Sequence, residues 1–248
     1  MTGVKGRTAI VTGSARGIGR EIAFQLAAQG AQVVVNYMSS VDDASTVVTN
    51  IIQAGGAALS IQADVSKPEG IQYLFERAES QFGEVSILVN NAGLYEHRLL
   101  EEVDLAHFEK VIGANTLSVL LCTSEFSRRL KSSKWGRVVN ISSGAARDHV
   151  PGNSVYSASK AALEALTRVH AAELGSRNIT VNAVAPGLTE SVMATSLPSE
   201  VRIALISSTI LGRLGQPDDI AQVVQFLCSD EGRWITGQVI DANGGRKR

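Results

Sequence analysis

The sequence lacks several features that identify whole classes of protein. Its 248 residues carry a formal net charge of −1, so it has none of the basic excess typical of a nucleic-acid-binding protein. Its two cysteines, Cys122 and Cys228, cannot build a disulfide framework, and neither has a second cysteine at CxxC spacing. No apolar stretch approaches the roughly 18 residues of a membrane helix, and the N-terminus has no apolar signal region. We therefore expect a cytoplasmic protein with reduced thiols, no membrane segment and no nucleic-acid partner.

Metal-binding patterns are missing as well. The four histidines, at positions 97, 107, 149 and 170, form neither an HExxH motif nor a cluster with ligand spacing. The chain has no internal repeat, low-complexity segment or Pro/Ser-rich linker. Hydrophobic residues make up 44% of it and charged residues 19%, which suits a globular protein with a sizeable core. We expect no metal site, and one domain over residues 1–248.

Short apolar runs alternate along the chain with longer stretches of helical periodicity. The runs are rich in Val and Ile and poor in charge, which is typical of strands buried on both faces of a parallel sheet. Alternation from end to end indicates βαβ units with right-handed crossovers. The pattern predicts an α/β fold, a Rossmann-type doubly wound sheet of seven parallel strands with helices on both faces. Strands are expected at 8–12, 32–37, 58–64, 86–91, 136–142, 179–186 and 237–242, and helices at 18–29, 41–54, 68–82, 104–131, 155–175 and 217–228.

The region from 188 to 212 is the exception, since it contains no clear strand. Long connections of this kind in compact domains are often lids or binding loops. We expect this region to shape the substrate site.

A glycine-rich turn follows the first predicted strand in "TAIVTGSARGIGREIAFQLAAQG". Gly13, Gly17 and Gly19 allow a tight turn and a close approach of the backbone to a ligand. The helix that begins near Ile18 presents free N–H groups and the positive end of its dipole to an anion. Because a strand precedes the turn and a helix follows it, the segment predicts a dinucleotide phosphate site.

The end of the second strand bears on which dinucleotide binds. NAD sites usually place Asp or Glu there to bind the ribose 2′-OH, whereas this strand ends in "VVVNYMSS", with Asn36 at that position and Ser39 and Ser40 after it. No carboxylate would repel a 2′-phosphate, and Arg16 in the glycine turn could pair with one. These residues favour NADP, although Arg16 could also be a solvated loop arginine and Asn36 could simply end the strand.

The motif "YSASK" places Tyr156 four residues before Lys160, and residues at that spacing share one face of a helix. A nearby cation stabilises a phenolate and lowers the pKa of the phenol, so the pair could be a tuned proton donor. It could equally be part of an ordinary exposed helix face. The motif alone leaves both interpretations open.

Several motifs taken together resemble those of the short-chain dehydrogenase/reductase family over essentially the whole chain. The stretches "NITVNAVAPG" and "LGRLGQPDDIA" are most similar to the 3-oxoacyl-[acyl-carrier-protein] reductases. The matching pieces are "TGSARGIG" (12–19), "ADV" (63–65), "NNAG" (90–93), Asn115, "ISS" (141–143), "YSASK" (156–160) and "NAVAPGLT" (182–189).

The resemblance implies roles for four catalytic residues. Tyr156 would be the general acid that protonates a carbonyl oxygen as hydride arrives, and Lys160 would lower its pKa and bind the nicotinamide ribose. Ser143 would donate a hydrogen bond to the same oxygen; we choose it over Ser142 because it lies thirteen residues before Tyr156. Asn115 would hold a water that joins Lys160 to solvent.

The resemblance also implies a cofactor site. Asp64 and Val65 would flank the adenine, and the segment from Asn91 to Gly93 would approach the adenosine ribose. Thr189 would contact the nicotinamide amide. The full expected set is Gly13, Ser14, Arg16, Gly17, Ile18, Gly19, Asn36, Ser39, Asp64, Val65, Asn91, Ala92, Gly93, Tyr156, Lys160, Pro186, Gly187 and Thr189.

The implied activity is NADPH-dependent reduction of a ketone to a secondary alcohol, with a 3-oxoacyl thioester on acyl carrier protein as the expected substrate. An acidic carrier protein would dock at Lys134 and Arg177. Two departures, "NAGLYEHRLLEEVD" and the end "DANGGRKR", leave carrier specificity open. The alternatives are an alcohol, sugar or polyol dehydrogenase and, from another class, an NADP-sensing protein without turnover. The resemblance further implies a homotetramer built through the two long helices and the last strand.

Overall fold

The computed structural model describes residues 3–131, 135–190 and 199–245. The strands are β1 (Thr8–Val11), β2 (Gln32–Tyr37), β3 (Ala57–Gln62), β4 (Val85–Asn90), β5 (Gly136–Ile141), β6 (Ile179–Pro186) and β7 (Val239–Ala242). The helices are α1 (Gly17–Ala28), α2 (Val41–Gln53), α3 (Pro68–Phe82), α4 (Leu105–Ile112), α5 (Ser118–Arg129), α6 (Ser154–Leu174), α7 (Ser199–Ser207) and α8 (Pro217–Cys228). No helix in these ranges is long and apolar enough to cross a membrane.

The seven strands form one parallel sheet in the order β3-β2-β1-β4-β5-β6-β7. The predicted doubly wound α/β fold is therefore confirmed. The chain runs outward from β1 to β3 and then returns to pair β4 with the other side of β1. This return makes a topological switch point between β1 and β4, which is where open α/β sheets bind ligands, at the carboxyl ends of the strands.

Helices cover both faces of the sheet, which explains the uninterrupted apolar runs. In β1 every residue is buried, and successive side chains point to opposite faces. Ala9 and Val11 pack into the cluster that contains Ile22 and Leu26 of α1, whereas Ile10 packs into the cluster on the other face. A strand with two buried faces has no polar side to display, so its sequence does not alternate.

The predicted helix over 104–131 is interrupted. The structure has α4, then a π-helical turn over Gly113–Leu117, then α5. Such turns insert an extra residue into a helix and are frequent at functional sites. Hydrophobic periodicity did not reveal the interruption, since the backbone stays right-handed helical at both ends of the turn. Of the expected substrate loop, residues 199–207 form α7, while 191–198 lie outside the described residues.

A stacked cluster closes the end of the sheet opposite the strands' carboxyl ends. The guanidinium carbons of Arg7 and Arg137 lie 3.7 and 4.1 Å from the centroid of the Trp135 ring. The Trp135 Nε1 donates to Asp230 Oδ1 at 2.9 Å, and Arg137 is only 1% exposed. Burial lowers the pKa of Arg137, and the Asp230 carboxylate acts in the opposite direction. The indole therefore supports two cations, of which Arg137 is buried and Arg7 is half-buried.

We predict that Trp135→Leu lowers the free energy of unfolding by about 2–4 kcal/mol. The substitution removes packing and the cation–π contacts of the ring with Arg7 and with the buried Arg137. Urea unfolding followed by circular dichroism measures the change. Tyr73→Leu on α3 is the control because Tyr73 is half exposed, and it should cost much less. Equal losses in the two variants would contradict the role given to the stacked cluster.

Candidate active site

A cavity of about 750 Å³ opens at the switch point between β1 and β4. Residues from the glycine turn, the end of β2, the segment after β3 and the segment after β4 line it. The lining residues that the sequence predicted for a cofactor are Gly13, Arg16, Asn36, Ser39, Asp64, Val65, Asn91, Ala92 and Gly93. The fold thus brings four separate parts of the predicted cofactor site to one cavity.

The glycine turn fits a phosphate group. Gly13 and Gly17 have φ values of +61° and +58°, a left-handed conformation that other residues rarely adopt. A Cβ on Gly19 would clash with Asn91 Nδ2 and would lie 2.7 Å from the Gly13 carbonyl oxygen. In this part of the described chain, no side chain caps α1 and no acidic residue lies in its first turn. The first N–H groups of α1 are therefore available to an anion.

Ser14 and Ile18 complete the turn. The Ser14 hydroxyl donates to the Val11 carbonyl at 2.7 Å and is fully buried, so it stabilises the turn rather than facing the cavity. Ile18 is half-buried and packs against the core cluster under α1. Both residues support the turn from behind.

Asn36 joins three strands. Its Oδ1 accepts from Gly13 N at 3.2 Å, and its Nδ2 donates to the carbonyls of Ile61 and Ala63 at 3.3 and 3.1 Å. Only 2% of the residue is exposed. The amide thus holds the glycine turn against β3, while the predicted contact of Asn36 with the cofactor stays a prediction.

Arg16 and Ser39 are placed differently, because both line the cavity and are exposed. Asp64, which also lines it, accepts from the N–H and hydroxyl of Ser66 at 2.9 and 2.7 Å. The end of β2 offers the cavity no carboxylate: its lining residues there are Asn36, Tyr37, Met38, Ser39 and Ser40.

Gly93 marks the point where the cavity meets a second cluster of predicted residues. A Cβ there would lie 2.9 Å from Asn115 Oδ1 and 3.5 Å from Lys160 Nζ. Asn115 lies in the π-helical turn and is fully buried. Its Oδ1 accepts from Leu94 N at 2.7 Å, and its Nδ2 donates to the Leu94 carbonyl at 2.8 Å and to Ser159 Oγ at 3.0 Å. The amide fixes the segment after β4 to α6; its role towards a water stays a prediction.

Lys160 lies in a dry environment. Its Nζ donates to the Ile141 carbonyl at 2.8 Å, at the carboxyl end of β5. Burial lowers the pKa of Lys160 to about 8, because an ammonium group loses its hydration there. The Nζ lies 5.9 Å from the centroid of the Tyr156 ring. The two members of the YSASK motif therefore share one buried face of α6, which excludes the alternative of an exposed helix face.

The pKa of Tyr156 differs from the expectation. It is raised, first by burial and also by Tyr95, while a hydrogen bond with the Ser143 side chain acts to lower it. We expected Lys160 to lower this pKa. In the structure, the Lys160 ammonium is directed at the Ile141 carbonyl, so burial of the phenol has the larger effect. A raised pKa keeps Tyr156 protonated at neutral pH.

Ser143 and Ser142 have separate partners. Ser143 Oγ accepts from Ala145 N at 3.1 Å, and the Ser143 side chain acts to lower the pKa of Tyr156. Ser142 Oγ instead donates to Glu164 Oε1 at 3.0 Å. The geometry thus distinguishes the two serines, and the catalytic role of Ser143 stays a prediction.

The family model described as enoyl-(acyl carrier protein) reductase matches residues 13–247. An uncharacterized oxidoreductase of Methylorubrum extorquens is 46% identical over a 248-residue alignment that covers 99% of each chain. A 3-oxoacyl-[acyl-carrier-protein] reductase of Staphylococcus epidermidis is 40% identical over 239 residues, 96% of this chain and 98% of that one.

Solved structures agree with these matches. A mutant of a Serratia marcescens short-chain dehydrogenase/reductase superposes with a TM-score of 0.93 at 35% identity over 98% of both chains. A blue fluorescent protein from a metagenomic library, in complex with NADPH, superposes with a TM-score of 0.91 at 35% identity, again over 98% of both chains. This chain belongs to the short-chain dehydrogenase/reductase family. It is an oxidoreductase-family member close to the 3-oxoacyl-[acyl-carrier-protein] reductases, as its motifs indicated.

In this short-chain dehydrogenase/reductase, one residue of the site was not predicted from the sequence. Tyr95 packs edge-to-face on Tyr156, with ring centroids 5.0 Å apart and an interplanar angle of 84°. Its hydroxyl donates to Asn153 Oδ1 at 3.1 Å, at the start of α6. The sequence feature that could have indicated Tyr95 is its position. It follows NNAG by two residues, within the stretch that departs from the reductase subgroup.

The residues after β6 lie at the same edge of the sheet as the site. Pro186 ends β6, and Gly187 N donates to the Ala242 carbonyl at 3.3 Å. Thr189 Oγ1 donates to the Gly187 carbonyl at 3.2 Å, and Thr189 forms a β-bridge with Gly215. Their predicted contact with a nicotinamide stays a prediction.

Of the two predicted carrier-protein contacts, Arg177 is not beside this cleft. Arg177 donates to Ser127 Oγ at 2.7 Å and to the Ser127 and Leu130 carbonyls at 2.8 and 2.6 Å, where it closes the C-terminal end of α5. The rise of an α-helix, about 1.5 Å per residue, puts the end of α6 about 27 Å from Tyr156. Lys134 lies outside the described residues. Arg177 therefore offers no free positive charge next to the cleft of its own chain.

Gly19→Ala tests the turn, because the added methyl group would clash with Asn91 and the Gly13 carbonyl. We predict that the variant binds NADPH and NADH at least about tenfold more weakly, since the backbone N–H groups can no longer surround the phosphate. Fluorescence titration of each cofactor measures the affinity.

Gly175→Ala is the control for that comparison. A Cβ there meets nothing within 4 Å, and the position follows α6, away from the cavity. Its cofactor affinities should equal those of the wild type. Unchanged binding in the folded Gly19→Ala variant would contradict the close packing assigned to the turn.

Proposed function

We propose that this chain reduces a ketone to a secondary alcohol with NADPH, with Tyr156 as the general acid. The observation that carries the proposal is that the Ser143 side chain acts on the Tyr156 phenol, beside the buried Lys160 amine on the same helix. Two hydroxyl donors next to a dry cation suit a reaction in which negative charge develops on an oxygen.

A bound nicotinamide cofactor would supply the hydride. Tyr156 donates its proton to the substrate oxygen as charge develops there, and its raised pKa keeps that proton in place until then. Ser143 donates a second hydrogen bond to the same oxygen. Lys160 stabilises the phenolate that remains, because its ammonium lies on the same buried face of α6. The Ile141 carbonyl and the Asn115 amide keep these groups in position.

The residues around the cavity would hold the cofactor from several directions. The N-terminus of α1 would bind the pyrophosphate, and Gly93 gives access from the cavity to Lys160 because it has no side chain. Asp64 and Val65 would border the adenine, while Thr189 would contact the nicotinamide amide. The fit of the glycine turn and the size of the cavity support this arrangement.

NADPH is favoured over NADH by charge. Arg16 is exposed at the cavity, and the end of β2 contributes hydroxyl groups rather than a carboxylate. A guanidinium forms strong charge-assisted hydrogen bonds with a phosphate. The structural relative that was solved with NADPH agrees with this choice.

The substrate proposed first is a 3-oxoacyl thioester, because several relatives at 40% identity are named 3-oxoacyl-[acyl-carrier-protein] reductase. A different small ketone or alcohol is the second candidate, since Arg177 is occupied within the chain and Tyr95 stands in the departing stretch. A panel of an acetoacetyl thioester, an enoyl thioester and small ketones and alcohols separates them. The enoyl thioester is included because of the family model's description.

Tyr156→Phe separates catalysis from cofactor sensing without turnover. We predict a fall in kcat of at least about 10²–10⁴-fold, because the variant lacks the proton donor. Binding of NADPH should change less than about threefold, since the ring remains in place. Stopped-flow absorbance of NADPH and fluorescence titration measure the two quantities.

Tyr73→Phe is the matched control, because it deletes the same hydroxyl from an exposed ring on α3. It should behave as the wild type. A wild type that binds NADPH but reduces nothing in the panel would favour the sensing function, and a fully active Tyr156→Phe would rule out the general acid.

Arg16→Gln tests the choice of cofactor. We predict that the KM for NADPH rises about tenfold or more while the KM for NADH changes little, because only NADPH carries the phosphate that Arg16 would pair with. Arg20→Gln, on an exposed position one turn later, is the control and should change neither value. A wild type that prefers NADH would overturn the assignment.

A further inference from the structure

The buried carboxylate of Glu164 has no part in the proposed mechanism. It lies on α6, four residues after Lys160, and the residue is only 7% exposed. Its Oε1 accepts a hydrogen bond from Ser142 Oγ at 3.0 Å and faces Arg147 Nη2 at 3.5 Å. A buried carboxylate is costly unless it is paired, so these two contacts determine whether it is tolerated.

Arg147 lies at the end of a short turn that begins next to Ser142 and Ser143. It directly follows the 3₁₀ turn Gly144–Ala146, which begins after Ser143. Its Nη1 donates to Asp241 Oδ2 at 3.0 Å, and its Nη2 donates to Asp241 Oδ1. This is a two-pronged pairing, the geometry in which an arginine specifies position as well as charge. Asp241 belongs to β7, the outermost strand of the sheet.

The two contacts enclose the residue that would bind the substrate oxygen. Ser142 is held by its backbone bond to the Val184 carbonyl at 2.7 Å and by Glu164. Ser143 Oγ accepts from Ala145 N, which lies within the turn itself. Side chains on both sides of Ser143 therefore attach the turn to α6 and β7, namely Ser142 before it and Arg147 after it.

From this arrangement we propose that Arg147 and Glu164 are positioning residues, which hold the turn around Ser143 against Tyr156 and link it to the edge strand β7 through Asp241. The proposal rests on the proposed function, since Ser143 has a task only if an oxygen is protonated next to it. Arg147 acts through the turn, because its guanidinium is paired with the two carboxylates. A shift of about 1 Å in a donor costs up to roughly 10²-fold in rate, so a small displacement of the turn is measurable.

A merely stabilising ion pair would behave differently. It would lower the melting temperature when broken, but it would leave the rate of the folded enzyme unchanged. A positioning role predicts a fall in kcat with cofactor binding preserved, because the cavity at β1, β2 and β4 does not include these residues. Measuring kcat and cofactor binding separately therefore distinguishes a positioning role from a merely stabilising ion pair.

The experiment compares Arg147→Met, Arg147→Lys and Asp241→Asn in the full-length protein, with NADPH and the ketone of the panel that the wild type reduces best. We expect kcat to fall about 10–100-fold in Arg147→Met and about 3–10-fold in Asp241→Asn, with the dissociation constant for NADPH within about twofold of the wild type. Arg147→Lys should retain part of the kcat that Arg147→Met loses, since lysine keeps the positive charge but cannot form the two-pronged pairing with Asp241. Adding Asp241→Asn to Arg147→Met should cost less than about twofold further, because the link is already broken.

Glu79→Gln is the control variant. Glu79 pairs with Arg129 at 2.9 Å between α3 and α5, at a similar partial exposure but outside the turn. It should leave kcat unchanged. A kcat within about twofold of the wild type in Arg147→Met, or an equal fall in Glu79→Gln, would overturn the proposal.

Two outcomes remain, and the Asp241→Asn variant covers both. This variant keeps the buried Glu164 carboxylate paired with Ser142 and Arg147, and its crystal structure can be determined. If Arg147→Met does not fold, the kinetics of Asp241→Asn decide. If the wild type reduces none of the panel, the proposed function fails, and the separation of Ser143 Oγ from Tyr156 Oη then decides the positioning role by itself. A longer separation than in the wild-type crystal supports the link to β7, and an unchanged one refutes it.

Discussion

A single buried amine organises the candidate site. Lys160 gives up its hydration to donate to the Ile141 carbonyl, and burial lowers its pKa to about 8. A group that is costly to bury persists where the surrounding structure holds it, and here β5, α6 and the Asn115 amide do so. The phenol of Tyr156 on the same helix face then has a cation within reach and keeps its proton because it is itself buried. Proton donation and charge stabilisation thus come from one desolvated corner of the fold.

The sheet topology brings that corner to the cofactor. Because the chain returns from β3 to pair β4 with β1, the glycine turn and the NNAG segment meet at one edge. Gly93 lies between the cavity and the side chains of Lys160 and Asn115. Because it has no side chain, the cavity reaches close to both of them. Buried polar contacts add rigidity there: Asn90 Nδ2 donates to Asn140 Oδ1 at 2.8 Å, and Asn140 Nδ2 donates to Thr167 Oγ1 at 2.9 Å. The strands that carry the site are therefore tied to each other and to α6.

Much of this was accessible from the sequence, for identifiable reasons. The Val- and Ile-rich runs predicted the strands because both faces of the sheet are covered, and glycines between a strand and a helix predicted the phosphate turn. The π-helical turn at Asn115, the supporting role of Asn36 and the stacking of Tyr95 on Tyr156 were not accessible. Each depends on distant segments that meet only in the folded chain. The prediction that the pKa of Tyr156 is lowered was wrong for the same reason. Burial raises this pKa, and burial depends on the whole fold rather than on the four-residue spacing of Tyr156 and Lys160.

The central claim is that Tyr156 and Ser143 together hold the oxygen that is protonated. A crystal structure of the enzyme with NADP⁺ and an unreactive ketone analogue tests it most directly. The account predicts that the analogue's carbonyl oxygen lies within about 3 Å of both Tyr156 Oη and Ser143 Oγ, with the carbonyl carbon facing the nicotinamide ring. A carbonyl oxygen bound by other groups, with the Tyr156 hydroxyl turned away from it, would contradict the account.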